Sequence, residues 1–257
     1  MTFYCLIFLR DGFWAKSLAH RHYRRAGQDR PTPMPDTPLA IVFDLDGTLV
    51  DTAPDLLGAL NAVLTAEGHE PVVPADLRHL VGHGARAMFE HALRRNGAPV
   101  PPARMNALTE DFLAYYRANI ARGSRPFPGV PETLDLLAAR GAGLGICTNK
   151  AQDLTELLLN ALKLTRHFPA IIGGGRTPYS KPDPRHLLEA VTALKGRRER
   201  AVLVGDSPVD VAAARAADIP VIAMSYGYTP VPVHELGADA VVDDFAQLPE
   251  IISRLVS

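Results

Sequence analysis

The sequence predicts an α/β protein: a doubly wound parallel (Rossmann-like) sheet core with an all-helical cap subdomain inserted after the first strand. Three observations predict it. Short apolar runs recur along the chain, amphipathic helical patterns separate most of them, and one interval of about 70 residues carries helical patterns without a convincing strand.

The apolar runs are Leu39–Phe43, Gly143–Cys147, Ala170–Ile172, Ala201–Val204, Pro220–Met224 and Ala240–Val242. Continuous apolar strands need cover on both faces, which a parallel sheet obtains from its crossover helices. Leu154–Leu162, Pro184–Ala193 and Val209–Ala217 supply those patterns. From Ala53 to Arg125 the patterns are Asp55–Ala66, Ala75–Val81, Ala85–Asn96 and Ala103–Ala121. That block is too long for one crossover. Residues 53–125 therefore read as a helical cap, and 38–52 with 126–257 as the core. Thr52-Ala53-Pro54-Asp55 resembles a capping box at the cap's entry, and Arg125-Pro126-Phe127-Pro128-Gly129 reads as a stiff return.

Residues 1–37 read as a disordered extension. Phe3–Leu9 is apolar, but it has no basic region before it and no small-residue cleavage site after it, so it makes a poor signal peptide. A targeting leader, or a start at Met34 after the spacer Pro31–Pro35, are the other readings. Residues 1–33 carry +4, which leaves −5 for the rest of a chain whose total is −1. An acidic body gives no electrostatic reason to bind nucleic acid. No apolar run approaches the roughly 18–20 residues that cross a bilayer. Two cysteines, Cys5 and Cys147, are too few for a disulfide framework and suit a reducing cytosol, so a cytoplasmic location is expected.

The candidate chemistry collects at strand ends, where open α/β sheets place their ligands. The first strand ends in Asp44-Leu45-Asp46-Gly47-Thr48. In extended backbone Asp44 and Asp46 point the same way. Two acids so close should titrate apart, one as nucleophile and the other as proton donor. A calcium loop would need a ligand-rich continuation with a closing Glu in register, which is missing. After the second strand, Thr148 and Asn149 offer a hydroxyl and a helix-start amide for phosphate oxygens, although Thr148 alone reads as a helix N-cap. Pro182 and Pro184 stiffen a loop that presents Lys181, otherwise a surface charge. Asp206 and Asp210 after the fourth strand share a face if a helix starts there; Asp206 alone reads as an N-cap. The acids Asp44, Asp46, Asp206 and Asp210 against Lys181 leave a net −3, which calls for a hard cation such as Mg²⁺. The nine histidines show no metal-ligand spacing.

In that order, Asp44-Leu45-Asp46-Gly47-Thr48, Thr148, Lys181 and Gly205-Asp206…Asp210 resemble the four motifs of the haloacid dehalogenase-like superfamily, from Leu39 to the C-terminus. The resemblance implies an aspartyl-phosphate mechanism. Asp44 would be the nucleophile and a metal ligand. Asp46 would be the general acid/base, with its backbone carbonyl on the metal. Thr148, Asn149 and Lys181 would hold phosphate, Asp206 would ligate Mg²⁺, and Asp210 would support it. Asp51, Val81–Gly84, Arg125–Val130, Cys147–Lys150 and Lys181–Pro184 further resemble the bacterial phosphoglycolate phosphatases, whereas Gly173-Gly174-Gly175-Arg176 departs from the Gly-Gly-Asp-Thr common there. A small phosphorylated metabolite is the implied partner. Within the cap, His83 and Arg86 flank a glycine loop that would face the substrate; the other reading is a plain helix–helix turn. A phosphatase of another small metabolite and a phosphomutase of the same fold share the core motifs. A dehalogenase would lack Asp46, and a phospho-accepting signalling domain would be near half this length and without a cap.

Overall fold

The computed structural model describes residues 37–73, 84–97 and 100–256. Residues 1–36, the helical pattern at Ala75–Val81 and His83 lie outside the described residues.

Strands β1 (Ala40–Phe43), β4 (Gly143–Ala151), β5 (Ala170–Gly174), β6 (Ala201–Gly205), β7 (Val221–Met224) and β8 (Ala240–Val242) form one sheet in the order β5-β4-β1-β6-β7-β8. Every pairing in it is parallel. The first strand is internal because it is apolar throughout: Ala40, Ile41, Val42 and Phe43 are all buried. Period-two alternation then sorts them. Ile41 and Phe43, with Val202 and Val204, face a core formed with Leu134 of α4 (Val130–Ala139), Leu158 of α5 (Gln152–Ala161) and Ile252 of α8 (Leu248–Leu255). Ala40 and Val42, with Ala201 and Leu203, face Leu187 of α6 (Pro184–Ala193) and Val211 of α7 (Pro208–Ala217). Each fully buried aliphatic or aromatic side chain here contributes about 1.5–3 kcal/mol. Leaving β1 the chain builds β4 and β5 on one side, then returns to β6, β7 and β8 on the other. The order reverses around β1, and the carboxyl ends of β4, β1 and β6 open a crevice there.

Between β1 and β4 lie α1 (Ala53–Ala66), α2 (Ala85–Arg95) and α3 (Pro102–Ala118). Leu60 and Leu64 of α1, Phe89 of α2, and Phe112 and Tyr116 of α3 are buried in one cluster. Phe89 meets Phe112 edge-on at 5.9 Å between centroids, a favoured aromatic geometry.

The two ends of this helical segment are joined in a way the sequence does not announce. Val50–Asp51 (β2) pairs antiparallel with Arg125–Pro126 (β3) as a two-stranded ribbon. The expected capping box at Thr52 is not formed. The Thr52 side chain makes no cap bond and its Oγ1 is buried without a partner, because the Tyr228 hydroxyl takes the Thr52 and Ala53 amides at 2.8 and 3.1 Å. Asp55 instead reaches across the segment's base and accepts from the Gly123 amide (2.7 Å), the Ser124 amide (2.7 Å) and the Ser124 hydroxyl (2.6 Å). This buried carboxylate holds exit to entry. Removing it strands two amides and a hydroxyl, so Asp55→Ala should cost about 2–4 kcal/mol, read as a lowered urea midpoint. A change within about 0.5 kcal/mol would show the clasp to be idle.

Candidate active site

The crevice is built from side chains held at three strand ends. Asp44 follows β1, and its amide donates to the Val204 carbonyl at 2.9 Å, which keeps it in register with β6. Gly47 turns the chain back with φ +85°, and a Cβ there would lie 2.5 Å from an Asp206 oxygen, so a side chain fails on both conformation and space.

Asp206 ends β6 and Asp210 lies in the first turn of α7. They meet for a different reason from the one expected. The helix begins at Pro208, with Ser207 as N-cap and Asp210 closing a capping box onto the Ser207 amide and hydroxyl. Asp206 precedes the helix and is neither its cap nor on its face. The Asp206 amide also donates to Asp210 at 3.3 Å. Helix capping therefore sets the pair. Asp206 Oδ1 accepts from the Thr48 hydroxyl at 2.8 Å and Oδ2 from the Tyr228 amide at 2.7 Å.

Lys181 is buried between Asp210 (2.7 Å) and Asp44 (2.8 Å). Burial pulls its pKa down, but Asp210 and Asp44 outweigh that and hold the ammonium charged. Its loop is fastened by Asn149, whose side chain accepts from the Lys181 amide at 2.8 Å and donates to the Lys181 carbonyl at 2.9 Å. The Asn149 side chain is thus committed to positioning Lys181. Nor do Thr148 and Asn149 sit at a helix start, because β4 runs on to Ala151 before α5 begins. Thr148 is no N-cap: its buried hydroxyl accepts from the Lys150 amide at 3.3 Å, which leaves the O–H free to donate to an incoming oxygen.

Carboxylate oxygens of Asp44, Asp206 and Asp210 lie within 4.8 Å of one another, all buried. Burial first, then Asp210 and Asp44, raise the Asp206 pKa well above the usual carboxylate range. Burial also lifts Asp44 to about 6 against the pull of Lys181, with Asp210 adding to the rise and Asp46 only a lesser cause. The expected mutual repulsion of Asp44 and Asp46 is thus a minor effect. The buried Asp44 Oδ1 is met by the Lys181 ammonium at 2.8 Å. Three buried carboxylates facing the Lys181 ammonium, with hard donors only, fit a divalent cation such as Mg²⁺.

Two features escaped the sequence. Asp46 has its own cation: Lys150 Nζ lies 3.1 and 3.3 Å from its two oxygens and 2.8 Å from the Tyr116 hydroxyl on α3. The charge count at the strand ends is accordingly smaller than expected, since Lys150 joins Lys181. Tyr228 is the second: its amide holds Asp206, and its hydroxyl donates to Asp51 at the base of the helical segment. A count of every Lys within two residues of Thr148 would have found Lys150. Nothing local to the Tyr226-Gly227-Tyr228 turn points to Asp206. The Arg86 guanidinium, for its part, is about half exposed and bonds Glu90 (3.0 Å) and Asn106 (3.2 Å) on the helical segment, not the strand-end acids.

The model of the haloacid dehalogenase-like hydrolases matches residues 41–224, which spans the strand-end residues from Asp44 to Asp210. The chain belongs to this family. This hydrolase is 48% identical over 227 residues to a phosphoglycolate phosphatase of Agrobacterium fabrum, covering 88% of the chain and 97% of that protein. It is 46% identical over 217 residues to one from Caulobacter vibrioides, covering 84% and 92%. Among solved structures, a predicted phosphoglycolate phosphatase from Haemophilus somnus superposes with a TM-score of 0.79 at 29% identity, over 83% of this chain and 97% of that one. Among the described residues of this hydrolase, no helix is long and apolar enough to cross a membrane.

Proposed function

We propose that the protein is a Mg²⁺-dependent phosphatase that converts 2-phosphoglycolate to glycolate and phosphate through a phosphorylated Asp44. The observation that carries this reading is the buried Asp44–Lys181–Asp210–Asp206 cluster at the carboxyl ends of β1 and β6, with Asp46 two residues beyond Asp44 and separately paired to Lys150. Relatives named for that activity at up to 48% identity support the substrate.

Asp44 and Asp46 pair with different lysines, which suits separate roles. An Asp44 oxygen attacks phosphorus while the ester oxygen departs with the proton from Asp46. Water, surrendering a proton to Asp46, then attacks the phosphorus of the acyl phosphate, releases phosphate and restores the Asp44 carboxylate. Lys181 and the Thr148 hydroxyl hold the phosphoryl oxygens, with Asn149 keeping Lys181 in place. Asp44 and Asp206 would hold Mg²⁺, with the Asp46 carbonyl, while Asp210 fixes Lys181 and the Asp206 amide. Bound there, the cation supplies charge neutralisation for the phosphate.

A panel of phosphate monoesters with Mg²⁺ present tests the substrate. The expected result is the highest kcat/KM for 2-phosphoglycolate; a preference for hexose phosphates would remove the assignment.

A further inference from the structure

Among the described residues, Lys150 is a buried cation that the phosphoryl chemistry leaves without a substrate contact. Its side chain is only 5% exposed, yet it lies at the end of β4 beside the proton donor proposed above and touches the helical segment through Tyr116. Burial alone would depress its pKa, but Asp46 and Tyr116 together more than reverse that, so it stays an ammonium. Burying such a charge is costly unless it is paired and hydrogen-bonded, as it is here by Asp46 and Tyr116.

Its geometry gives it a further use. An ammonium has three N–H donors. They go to the two Asp46 oxygens at 3.1 and 3.3 Å and to the Tyr116 hydroxyl, and the Tyr116 ring lies beneath the charge at 4.6 Å from Nζ to centroid. When one Asp46 oxygen turns to the ester oxygen, the longer of the two Asp46 contacts is given up and that donor becomes available to an acceptor within the crevice. Asp46 must reach the ester oxygen to protonate it, so whatever substituent that oxygen carries lies next to Lys150 Nζ. A carboxylate one carbon removed from the ester oxygen places its negative charge there. Lys181 does not serve here, since it pairs with Asp44 and Asp210 and its remaining donor goes to the phosphoryl group.

We infer that Lys150, oriented by Tyr116, is the specificity-determining contact for the leaving group and selects phosphate esters that carry a carboxylate on the adjacent carbon. The inference rests on the phosphatase reading and adds to it the group that recognises the substrate's second charge. Tyr116 acts as a positioning residue: it fixes the ammonium from the helical segment, so recognition depends on that segment being seated.

The test compares 2-phosphoglycolate with ethyl phosphate, which has the same two-carbon frame without the carboxylate. Lys150→Met should lower kcat/KM on 2-phosphoglycolate about 100-fold. On ethyl phosphate the loss should be about tenfold or less, through the disturbed Asp46. Tyr116→Phe should raise KM for 2-phosphoglycolate several-fold with a smaller change in kcat. Should Lys150→Met fail to fold, Lys150→Arg carries the same comparison: the charge is kept but displaced, and the loss must again be larger on 2-phosphoglycolate. Equal losses on both substrates in the folded variant would overturn the inference and leave Lys150 as a support for Asp46. A wild-type enzyme that does not prefer 2-phosphoglycolate to ethyl phosphate would instead overturn the substrate assignment itself.

Discussion

Asp44→Asn should abolish phosphate release, by a factor on the order of 10⁴ or more, and at the same time make the metal-free protein more stable at neutral pH. The first half follows from the attacking oxygen: a carboxamide does not form the acyl phosphate. The second follows from burial. Asp44 is raised from 3.8 to about 6, so in the native state its carboxylate is disfavoured relative to the unfolded chain. A raised acid binds more protons folded than unfolded between those two values. Stability therefore falls as pH climbs through that window, by up to roughly 3 kcal/mol once the group is fully ionised. Asn removes that cost, and the melting temperature of the chelated protein at pH 7.5 should rise by several degrees. Asp46→Asn should behave differently. It should slow turnover by about 10²–10⁴-fold, and acid-quenched protein should retain phosphate on Asp44 that hydroxylamine releases. No protein-bound phosphate in any variant, together with an active Asp44→Asn, would end the covalent route.

Chelation should bring activity to background and Mg²⁺ should restore it, because among the described residues the Asp44, Asp206 and Asp210 carboxylates face one ammonium, Lys181. Protons and the cation compete for the same oxygens of Asp44 and Asp206, both raised by burial. The rise in melting temperature on adding Mg²⁺ should therefore be larger at pH 7.5 than at pH 5. Ca²⁺ should bind but support little turnover, since its looser coordination misplaces Asp44. Full activity after EDTA treatment and dialysis would refute the metal's part, and an equal thermal shift at both pH values would place the cation elsewhere.

Much of this arrangement is legible in the chain itself, because it rests on short-range rules. A short, wholly apolar run such as Ala40–Phe43 between turn signals reads as a buried strand, and Pro184 after Asp183 marks a helix start that α6 occupies. What stayed hidden depends on partners far away in sequence. Two-residue strands such as Val50–Asp51 have no periodicity to detect and exist only because Arg125–Pro126 returns beside them. The Thr52 amide is taken by a hydroxyl 176 positions away, which displaces the local capping box. Lys150 is visible as a residue, but its role needs Asp46 and Tyr116 brought to it from 104 and 34 positions distant. Arg86, by contrast, is visible in the sequence as a cation near a glycine loop, and in the structure its guanidinium bonds Glu90 and Asn106.

The β2–β3 ribbon has a consequence for how such a chain diversifies. Because Val50–Asp51 and Arg125–Pro126 already lie side by side and antiparallel, the helical segment enters and leaves the core through one doorway. Excising it would ask for a connection of hairpin length only, and lengthening or exchanging it would add little closure entropy. The strand ends that carry Asp44, Thr148, Lys181 and Asp206 are set by the parallel sheet, whose order and register the doorway does not interrupt. The residues at the strand ends, Lys150 among them, can thus be inherited unchanged while the segment that contacts Lys150 through Tyr116 is exchanged.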